Sequence, residues 1–476
     1  MGREAAFFDL DRTLLRGASG PILTAALREA GVVPDRSIPG ESLFYKFYDV
    51  VGETLPGMAL ARRAATFAAG WSSDAVVEAA TEAAKVLTGR IQPYARQLMD
   101  EHRAAGRPVV LATTTPFDMV KPFADELGLD DVIATEYDRS AEGLYTGNIV
   151  GDFVWGPGKL RAVRAWSAEH GVDVRASWAY SDSIYDVPLL SAVAHPTAIN
   201  PDPRLRLFAT LRRWPVIHLD VPPGVPKLAG LEPFKLLMPF LRPSSFPYAH
   251  FDVDGTDNIP REGPAIVVAN HRSYFDTAAV SVTVSRSGRP LRFLGKKEVF
   301  DAPVVGQLAK AMGGIRVDRG TGSVGPLDEA ARALQAGELV ALMPQGTIPR
   351  GRAFFDPVLK GRWGAAKLAE RTGAPIVPLG IWGTEKVWPR SARLPNMLNV
   401  TSPPTVRVRV GRPFTLAGED LDADTEEIMS AITALLPAEA RVAREPTPEE
   451  LAAALPPGYT GDPNDEAELA RRPGKD

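Results

Sequence analysis

The stretch that decides the fold of the first half is AAFFDLDRT, residues 5–13. Its apolar part, residues 5–8, is typical of a buried parallel strand, and two carboxylates follow where that strand ends. Successive residues of an extended chain point to opposite faces, so Asp9 and Asp11 project into the same site. One carboxylate could attack phosphorus while the other shuttles a proton to the leaving group. The same pair could also belong to a surface turn, and this stretch alone leaves both alternatives open.

Three later segments contain groups that suit the same chemistry. Val-Val-Leu-Ala-Thr-Thr-Thr ends a second predicted strand with hydroxyls at 113–115 that could bind phosphate oxygens. Gly-Pro-Gly-Lys begins a helix with Lys159, and a cation beside a helix N-terminus favours an anion. Ala-Tyr-Ser-Asp-Ser-Ile-Tyr-Asp ends a third strand with Asp182 and Asp186, spaced for one metal ligand and one supporting residue. Neighbouring carboxylates repel each other, so Mg²⁺, which prefers oxygen ligands, is the expected neutralising ion.

Together these four segments resemble the haloacid dehalogenase superfamily over residues 5 to about 210, in its phosphoserine-phosphatase-like branch. The resemblance implies a Rossmann-like α/β domain with a helical cap at about residues 15–95. It also implies that Asp9 forms an aspartyl-phosphate while Asp11 acts first as acid and then as base. The remaining roles that it implies are phosphoryl binding by Thr113 and Lys159, magnesium binding by Asp9, Asp182 and the backbone of Asp11, and support from Asp186.

The first half departs from that family's pattern in three places. Arg12 occupies a position usually filled by glycine or another small residue, and threonine replaces the commoner serine at Thr113. The stretch after the first motif lacks the glutamate with which phosphoserine phosphatases engage the substrate amine, so phosphoserine is not the expected substrate. A non-catalytic binding or dimerisation module is the alternative for this half.

His271 is the only histidine in the last 226 residues, and the pair Asn270-His271 directly follows the apolar run 264–269. Imidazole has an unperturbed pKa near neutral pH, so it commonly takes a proton from a hydroxyl. Asp276 follows five positions later, and such residues lie about 140° apart around a helix. The two can pair if His271 lies in a loop and Asp276 in a first helical turn, where the carboxylate would fix the imidazole tautomer. A buried histidine that caps a helix is the alternative.

Basic residues occur at or near the later strand ends: Lys296, Lys297, Arg316, Arg319, Arg350 and Arg352. Local positive charge in a chain of net charge −4 favours an anionic substrate, although any one of these residues can be a solvated surface charge. The chain has no cysteine and no Gly-x-Ser-x-Gly stretch, so a covalent acyl-enzyme has no obvious nucleophile.

Over about residues 248–415 the chain resembles glycerolipid acyltransferases of the lysophosphatidic acid (PlsC) type. The resemblance implies a second α/β domain in which His271 is the general base and Asp276 orients it. The acceptor would be a lysophosphatidate-like lipid, and the donor acyl-CoA or an acylated acyl carrier protein. Other roles fall on Arg319, which would bind the acceptor phosphate, on Gly346 and Thr347, which would frame the site, and on Lys297 and Gln345 in support.

Gln345 marks the main departure of the second half, because the family's Pro-Glu-Gly-Thr is here Pro-Gln-Gly-Thr. Glutamine keeps the shape and hydrogen-bonding capacity of glutamate but loses its charge. Another lyso-lipid, glycerol 3-phosphate or a glycosylated lipid therefore stays open as the acceptor.

Length and composition set the remaining expectations. A chain of 476 residues is expected to form two large domains, and its net charge of −4 argues against nucleic acid as a partner. The absence of cysteine excludes disulfides and fits a reducing cytoplasm. No uncharged stretch reaches the ~18 apolar residues of a spanning helix, so any membrane contact is expected to be peripheral, at the inner face of the cell membrane.

The predicted domain boundaries follow composition. The hydrolase-like domain takes residues 1–215, a proline-rich linker 216–247, the acyltransferase-like domain 248–437 and a partly disordered tail 438–476. Within the linker, the apolar segment 231–241 is interpreted either as an amphipathic membrane-surface element or as an inter-domain packing segment.

Overall fold

The computed structural model describes residues 2–33, 53–228, 230–301, 305–317 and 325–461. The chain divides into two compact units, Met1–Pro223 and Gly224–Asp476. Both are α/β units built on mostly parallel sheets, as the sequence predicted.

The first unit contains one seven-stranded sheet. Its strands are β1 (Ala6–Phe8), β2 (Val109–Pro116), β3 (Asp131–Arg139), β4 (Tyr145–Val150), β5 (Trp178–Ser181), β6 (His195–Ile199) and β7 (Val216–Ile217). Their spatial order is β4-β3-β2-β1-β5-β6-β7, and neighbours are parallel except for the β3–β4 hairpin. The chain order reverses at β1, where Phe7 and Phe8 are fully buried. In such sheets ligands bind at the carboxyl ends of the strands beside the reversal.

Eight helices surround this sheet in the described part of the first unit: α1 (Gly20–Glu29), α2 (Leu55–Phe67), α3 (Ser73–Thr88), α4 (Ala95–Ala104), α5 (Phe117–Glu126), α6 (Pro157–Glu169), α7 (Val187–Leu190) and α8 (Pro203–Arg212). The first three form the predicted helical insert, in which Ser72 caps α3 by accepting the Ala75 N–H at 3.4 Å. They share a small core with β4 through Leu27, Val76 and Tyr145. Helices α2 and α3 lie within the range predicted for the helical cap, and β3 and β4 form an antiparallel hairpin beyond it. Residues 34–52 of the insert lie outside the described ranges.

The second unit contains a sheet of its own. Its strands are β8 (His250–Asp254), β9 (Ala265–Ala269), β10 (Leu291–Lys296), β11 (Ile315–Val317), β12 (Leu339–Leu342), β13 (Ile376–Trp382) and β14 (Thr405–Val410). They lie in the order β11-β10-β12-β9-β13-β14-β8, with only the β13–β14 pair antiparallel among the neighbours. The buried strand β9 lies between β12 and β13. Each face of the sheet carries its own hydrophobic core, with Val267 on one face and Ile266 on the other.

Nine helices accompany this sheet in the described residues: α9 (Pro233–Leu237), α10 (Asp276–Ser285), α11 (Lys297–Asp301), α12 (Val305–Ala311), α13 (Gly325–Gln335), α14 (Gly364–Thr372), α15 (Thr384–Val387), α16 (Leu421–Ala434) and α17 (Pro448–Ala453). No helix within the described ranges is both long and apolar enough to cross a membrane.

The predicted linker is shorter than expected, because structure extends into it from both ends. Strand β7 pairs with β6, so the first sheet continues past the predicted boundary at 215. Within the apolar segment 231–241, Phe234 is buried in the second unit's core and Met238 and Leu241 pack against it. Glu232 accepts a buried ion pair from Arg292 at 2.7 Å, which anchors the start of α9. The segment therefore packs on the second unit.

The predicted tail also begins with ordered structure. Helix α17 carries a capping box, in which Thr447 and Glu450 satisfy each other's backbone N–H groups. Ala454, just after it, packs against Ile348 and Phe354. Residues 462–476, where disorder was predicted, lie outside the described ranges.

Two candidate active sites

The first site begins where β1 ends. The backbone N–H of Asp9 donates to the Tyr180 carbonyl of β5 at 3.0 Å, and both Asp9 and Asp11 have extended backbone angles. A wide turn follows, closed by the Leu15 N–H donating to the Leu10 carbonyl at 3.0 Å. Arg12 lies inside this turn with φ of 60°, the left-handed region that favours glycine. The structure thus places both carboxylates at the carboxyl end of the central strand.

Lys159, in the first turn of α6, connects two of the predicted carboxylates. Its Nζ is 2.8 Å from Asp9 Oδ1 and 2.7 Å from Asp186 Oδ2, and the side chain is only 1% exposed. Burial lowers the pKa of Lys159, but the charges of Asp186 and Asp9 outweigh this and raise it overall. The ammonium therefore stays charged. Ser181 also donates to Asp186 Oδ2, at 2.7 Å.

Asp182 lies after β5 and contacts two residues of the first motif. Its Oδ2 is 3.1 Å from Arg12 Nε, and its Oδ1 accepts from the Thr13 hydroxyl at 3.4 Å. Burial raises the pKa of Asp182 well above its usual range, although the Arg12 charge opposes this. Burial likewise raises the pKa of Asp9, with Lys159 opposing. Both carboxylates are thus costly to keep ionised without a further cation.

The donor set fits Mg²⁺. No group of three or more acidic or histidine side chains in metal-binding geometry occurs among the described residues. Mg²⁺, however, is usually held by one or two carboxylates and completes its shell with water and substrate phosphate. Asp9 and Asp182 supply such oxygens, and the buried Oδ1 of Asp186 has no hydrogen-bond partner among the described residues. The acidic excess and this unpaired oxygen both favour a bound cation.

Sequence reasoning missed Glu53, which the structure places in the same cluster. Its Oε2 accepts from the Ser183 hydroxyl at 2.6 Å and from Trp155 Nε1 at 3.0 Å. Burial, followed by the charge of Asp186, raises the pKa of Glu53 to about 7. Glu53 lies in the helical insert, outside any recognisable motif, so the sequence contained no signal for it.

The three predicted hydroxyls have different surroundings. Thr113 is buried, and its oxygen accepts the Thr115 N–H at 3.2 Å. Thr114 instead donates to the Val154 carbonyl at 2.9 Å, so its hydroxyl supports the loop after β4. The Thr114 hydroxyl therefore already has a backbone acceptor in this structure, whereas phosphoryl binding by Thr113 stays a prediction.

The second site begins where β9 ends. The Asn270 side chain bridges to β13, donating to the Ile381 carbonyl at 2.8 Å and accepting the Ile381 N–H at 2.7 Å. This bridge fixes the point where the chain leaves the sheet. His271 follows in a loop, and Asp276 is the first residue of α10. This is the arrangement that pairing across five residues required.

Asp276 is fully buried and holds the loop together. Its Oδ2 accepts from His271 Nδ1 at 2.8 Å and from the backbone N–H groups of Arg272 and Ser273 at 2.6 and 2.8 Å. Its Oδ1 accepts the Thr384 hydroxyl at 2.5 Å. From this network we assign the proton to Nδ1 of His271, which leaves Nε2 as the basic nitrogen.

Gln345 reaches the same loop from the end of β12. Its Oε1 accepts the backbone N–H of His271 at 2.7 Å. The turn that carries Gln345 has Gly346 at φ of 70°, with the Gly346 N–H donating to the Met343 carbonyl at 2.8 Å. Thr347 follows, partly buried. Position 345 therefore needs a hydrogen-bond acceptor, which the glutamine amide oxygen supplies as a glutamate carboxylate would.

Two predicted residues of the second half are not brought to this loop by the described structure. Arg319 lies outside the described ranges. Lys297 is exposed at the first residue of α11, the short helix after β10. Sequence reasoning also missed Thr384, whose only signal is that it follows β13, the neighbour of β9.

Comparisons with known proteins agree with this division. Residues 6–191 match the haloacid dehalogenase-like hydrolase family, and residues 250–382 match the acyltransferase family. The chain is 34% identical to a Streptomyces azureus protein named "Inhibition of morphological differentiation protein", over 46% of this chain and 80% of the relative. It is 35% identical to a phosphoserine phosphatase of Mycobacterium tuberculosis, over 44% of this chain and 70% of that relative. A 1-acyl-sn-glycerophosphate acyltransferase structure from Thermotoga maritima aligns with 24% identity and a TM-score of 0.32, over 42% of this chain and 79% of that one.

Proposed function

The chain belongs to the haloacid dehalogenase-like hydrolases through residues 6–191 and carries an acyltransferase domain at residues 250–382, and we propose that it is a bifunctional enzyme of phospholipid biosynthesis. The acyltransferase moves an acyl group from acyl-CoA or an acylated carrier protein to the hydroxyl of a lysophosphatidic-acid-like acceptor. The hydrolase is a Mg²⁺-dependent phosphomonoesterase. The observation that carries the proposal is the His271–Asp276 pair at the end of the central strand.

In the acyltransferase site, Nε2 of His271 removes the proton of the acceptor hydroxyl. The oxygen then attacks the thioester carbonyl, and the departing thiolate takes the proton back from the imidazolium. Asp276 stabilises that imidazolium, as a buried carboxylate on Nδ1 does in other histidine-dependent enzymes. The sequence has neither a cysteine nor a Gly-x-Ser-x-Gly stretch, which supports direct transfer without an acyl-enzyme. Arg319 binds the acceptor phosphate, while Gly346 and Thr347 frame the site.

In the phosphatase site, Asp9 attacks phosphorus and forms an aspartyl-phosphate while Asp11 protonates the leaving oxygen. Asp11 then takes a proton from the water that hydrolyses this intermediate. Burial, together with the Asp9 charge, raises the pKa of Asp11 to about 6, which suits a group that both donates and accepts a proton. Lys159 and Thr113 hold the phosphoryl oxygens.

Mg²⁺ would be held by the carboxylates of Asp9 and Asp182 and the backbone carbonyl of Asp11, with Asp186 in support. When bound, the ion supplies positive charge against the phosphoryl oxygens. Lysophospholipid acceptors reside in membranes, so the enzyme acts peripherally at the inner face of the cell membrane, where acyl-CoA and acyl carrier protein are available.

The test is a pair of single variants of the full chain. His271→Ala is expected to abolish acyl transfer and to leave phosphate release from a generic aryl phosphate unchanged. Asp9→Asn is expected to do the reverse. Acyl transfer retained in His271→Ala would contradict the assignment of the base.

Two alternatives give different outcomes in the same assays. If the first half is a non-catalytic binding or dimerisation module, the purified wild-type chain and Asp9→Asn release phosphate at the same background rate. If the acceptor is glycerol 3-phosphate or another lyso-lipid, the rates across a panel of acceptors place that compound above lysophosphatidate.

A further inference from the structure

The connection between α15 and β14 exposes an unusual concentration of large apolar side chains. We define residues 388–404 as the apolar loop. Four of its side chains lie within seven positions, and their exposed fractions are 69% for Leu394, 53% for Met397, 91% for Leu398 and 53% for Val400. Single exposed leucines are ordinary, but contiguous exposed apolar residues indicate an interaction surface.

The exposure belongs to an ordered loop. Trp388 Nε1 donates to the Ala392 carbonyl at 3.0 Å. The Asn396 N–H donates to the Val387 carbonyl at 3.1 Å, and the Ser391 N–H donates to the Ala453 carbonyl at 3.3 Å. These contacts hold the base of the loop against the second unit while its tip remains in solvent. The apolar side chains are therefore presented outward by a defined backbone.

The charge of the apolar loop identifies the kind of surface it fits. Residues 388–404 include two arginines, Arg390 and Arg393, and no aspartate or glutamate. Arg390 donates to the Pro349 carbonyl at 2.7 Å and so fastens the base of the loop, whereas Arg393 is exposed beside Leu394. Apolar side chains with neighbouring cations bind the interface of an anionic bilayer. A symmetric contact between two copies would instead bring two positive loops together.

The apolar loop is also joined to the His271 loop. Ser273, two residues after His271, donates to the Trp388 carbonyl at 2.6 Å. The Trp388 ring lies 5.5 Å from the ring of Tyr274, which is 47% exposed. Tryptophan and tyrosine are the side chains enriched at membrane–water interfaces. The base of the apolar loop thus contacts the loop that carries the candidate base.

We propose that the apolar loop inserts into the headgroup region of an anionic lipid bilayer and seats the His271 site on the membrane. The inference rests on the proposed acyl transfer to a lipid acceptor, because such an acceptor must leave the bilayer and reach His271. The occupant of this surface is the bilayer itself, and the apolar tip with Arg393 is the part that enters it.

Single-site labelling tests the insertion directly, because the chain has no cysteine of its own. Leu398→Cys is labelled with an environment-sensitive fluorophore in the full chain. The matched control is Leu211→Cys, at a leucine of the first unit that is 75% exposed. With phosphatidylcholine–phosphatidylglycerol vesicles, we expect a blue shift and increased emission at 398 and none at 211. An unchanged spectrum at 398, or an equal shift at both positions, would overturn the proposal.

Partition and activity assays separate the bilayer from other outcomes. We expect the double variant Leu394→Ser, Leu398→Ser to bind these vesicles about tenfold more weakly, and Arg393→Glu to lose affinity for anionic but not for pure phosphatidylcholine vesicles. Both variants should retain wild-type acyl transfer to a short-chain, water-soluble lyso-acceptor and lose transfer to vesicle-bound acceptor. Equal vesicle binding by wild type and the double variant would refute insertion. A dimer that the serine variants dissociate would assign the surface to a second copy instead.

The soluble-acceptor assay also keeps the two proposals distinguishable. If the wild-type chain transfers no acyl group to any soluble lyso-acceptor but still shifts the fluorescence at 398, the proposed reaction fails and the membrane contact stands. If it transfers to soluble acceptors without any shift at 398, the reaction stands and the membrane contact fails.

Discussion

The side-chain oxygen of Gln345 accepts the backbone N–H of His271 at 2.7 Å, which joins the end of β12 to the loop after β9. We therefore expect Gln345→Glu, which keeps an acceptor at this position, to retain acyl transfer. Gln345→Met has a similar length but no comparable acceptor, so it leaves the N–H unpaired at a cost of about 1–3 kcal/mol. We expect its acyl-transfer rate to fall about tenfold or more. Initial rates with one lyso-acceptor measure this, and equal rates for Gln345→Met and wild type would show that the bond is dispensable.

Asp276 offers a test of the charge behind the imidazole. In Asp276→Asn the amide oxygen can still accept from His271 Nδ1, but no negative charge stabilises the imidazolium. We expect kcat to fall about 100-fold or more, in the range of general-base contributions. Thr384→Val is the matched control, because it removes the donor to Oδ1 at 2.5 Å and leaves the His271 contact in place. It should cost about 1.5–3 kcal/mol of stability, because the lost hydrogen bond is to a charged oxygen, and change kcat only a few-fold. A control as inactive as Asp276→Asn would assign the loss to misfolding of the loop.

Arg12 should weaken metal binding at the phosphatase site. Its Nε lies 3.1 Å from Asp182 Oδ2, so the guanidinium competes with a cation for that carboxylate. We expect Arg12→Gly to bind Mg²⁺ about tenfold more tightly, since removing a competing charge near a carboxylate is worth roughly 1–2 kcal/mol. Calorimetric titration of the full chain measures this without reference to turnover. Arg12→Asn separates charge from backbone strain, because asparagine tolerates a positive φ. Unchanged affinity in both variants would rule out the competition.

Glu53 should make the stability of the metal-free chain depend on pH. Its folded-state pKa of about 7 lies above its ordinary value of 4.5, so the folded state binds the proton more tightly than the unfolded state. The free energy of unfolding should therefore fall as the pH rises from about 4.5 to 7, by about 3 kcal/mol from this group. Glu53→Gln removes the titration, so its Tm should exceed that of wild type at pH 8 and match it near pH 4.5. Both Tm curves are measured with a metal chelator. If the curves of wild type and Glu53→Gln run parallel between pH 4.5 and 8, the pH dependence does not come from Glu53.

The sequence predicted the parts of both sites that depend on local order along the chain. Asp9 and Asp182 follow apolar strands of the first sheet, and His271 follows an apolar strand of the second. In each sheet, parallel strands bring their carboxyl ends to one edge. Helical geometry gave the condition for pairing His271 with Asp276, a loop followed by a first helical turn, and the structure meets that condition. These positions could be predicted because the end of a strand and the start of a helix each have a recognisable sequence pattern of a few residues.

Other contacts could not be predicted, because they depend on how distant segments meet. Glu53 reaches Ser183 from the helical insert, and nothing in its neighbours marks it as part of a site. Arg12 departs from the family pattern in sequence, but its ion pair with Asp182 depends on the fold of the turn. The hydrogen bond from the Thr114 hydroxyl to the Val154 carbonyl likewise depends on how the loop after β4 folds.

The compactness of the His271 loop has a consequence for how the two sites are assembled during folding. Asp276 collects His271, Arg272 and Ser273 within one short stretch of chain, so these contacts have very low contact order and close early. The phosphatase cluster joins Lys159 to Asp9 across 150 positions, so it can form only after most of the first sheet has been synthesised and paired. A nascent chain would thus close the His271–Asp276 contact locally. The Lys159–Asp9 contact waits for long-range assembly, as do the bonds that join Gln345 and Thr384 to the His271 loop.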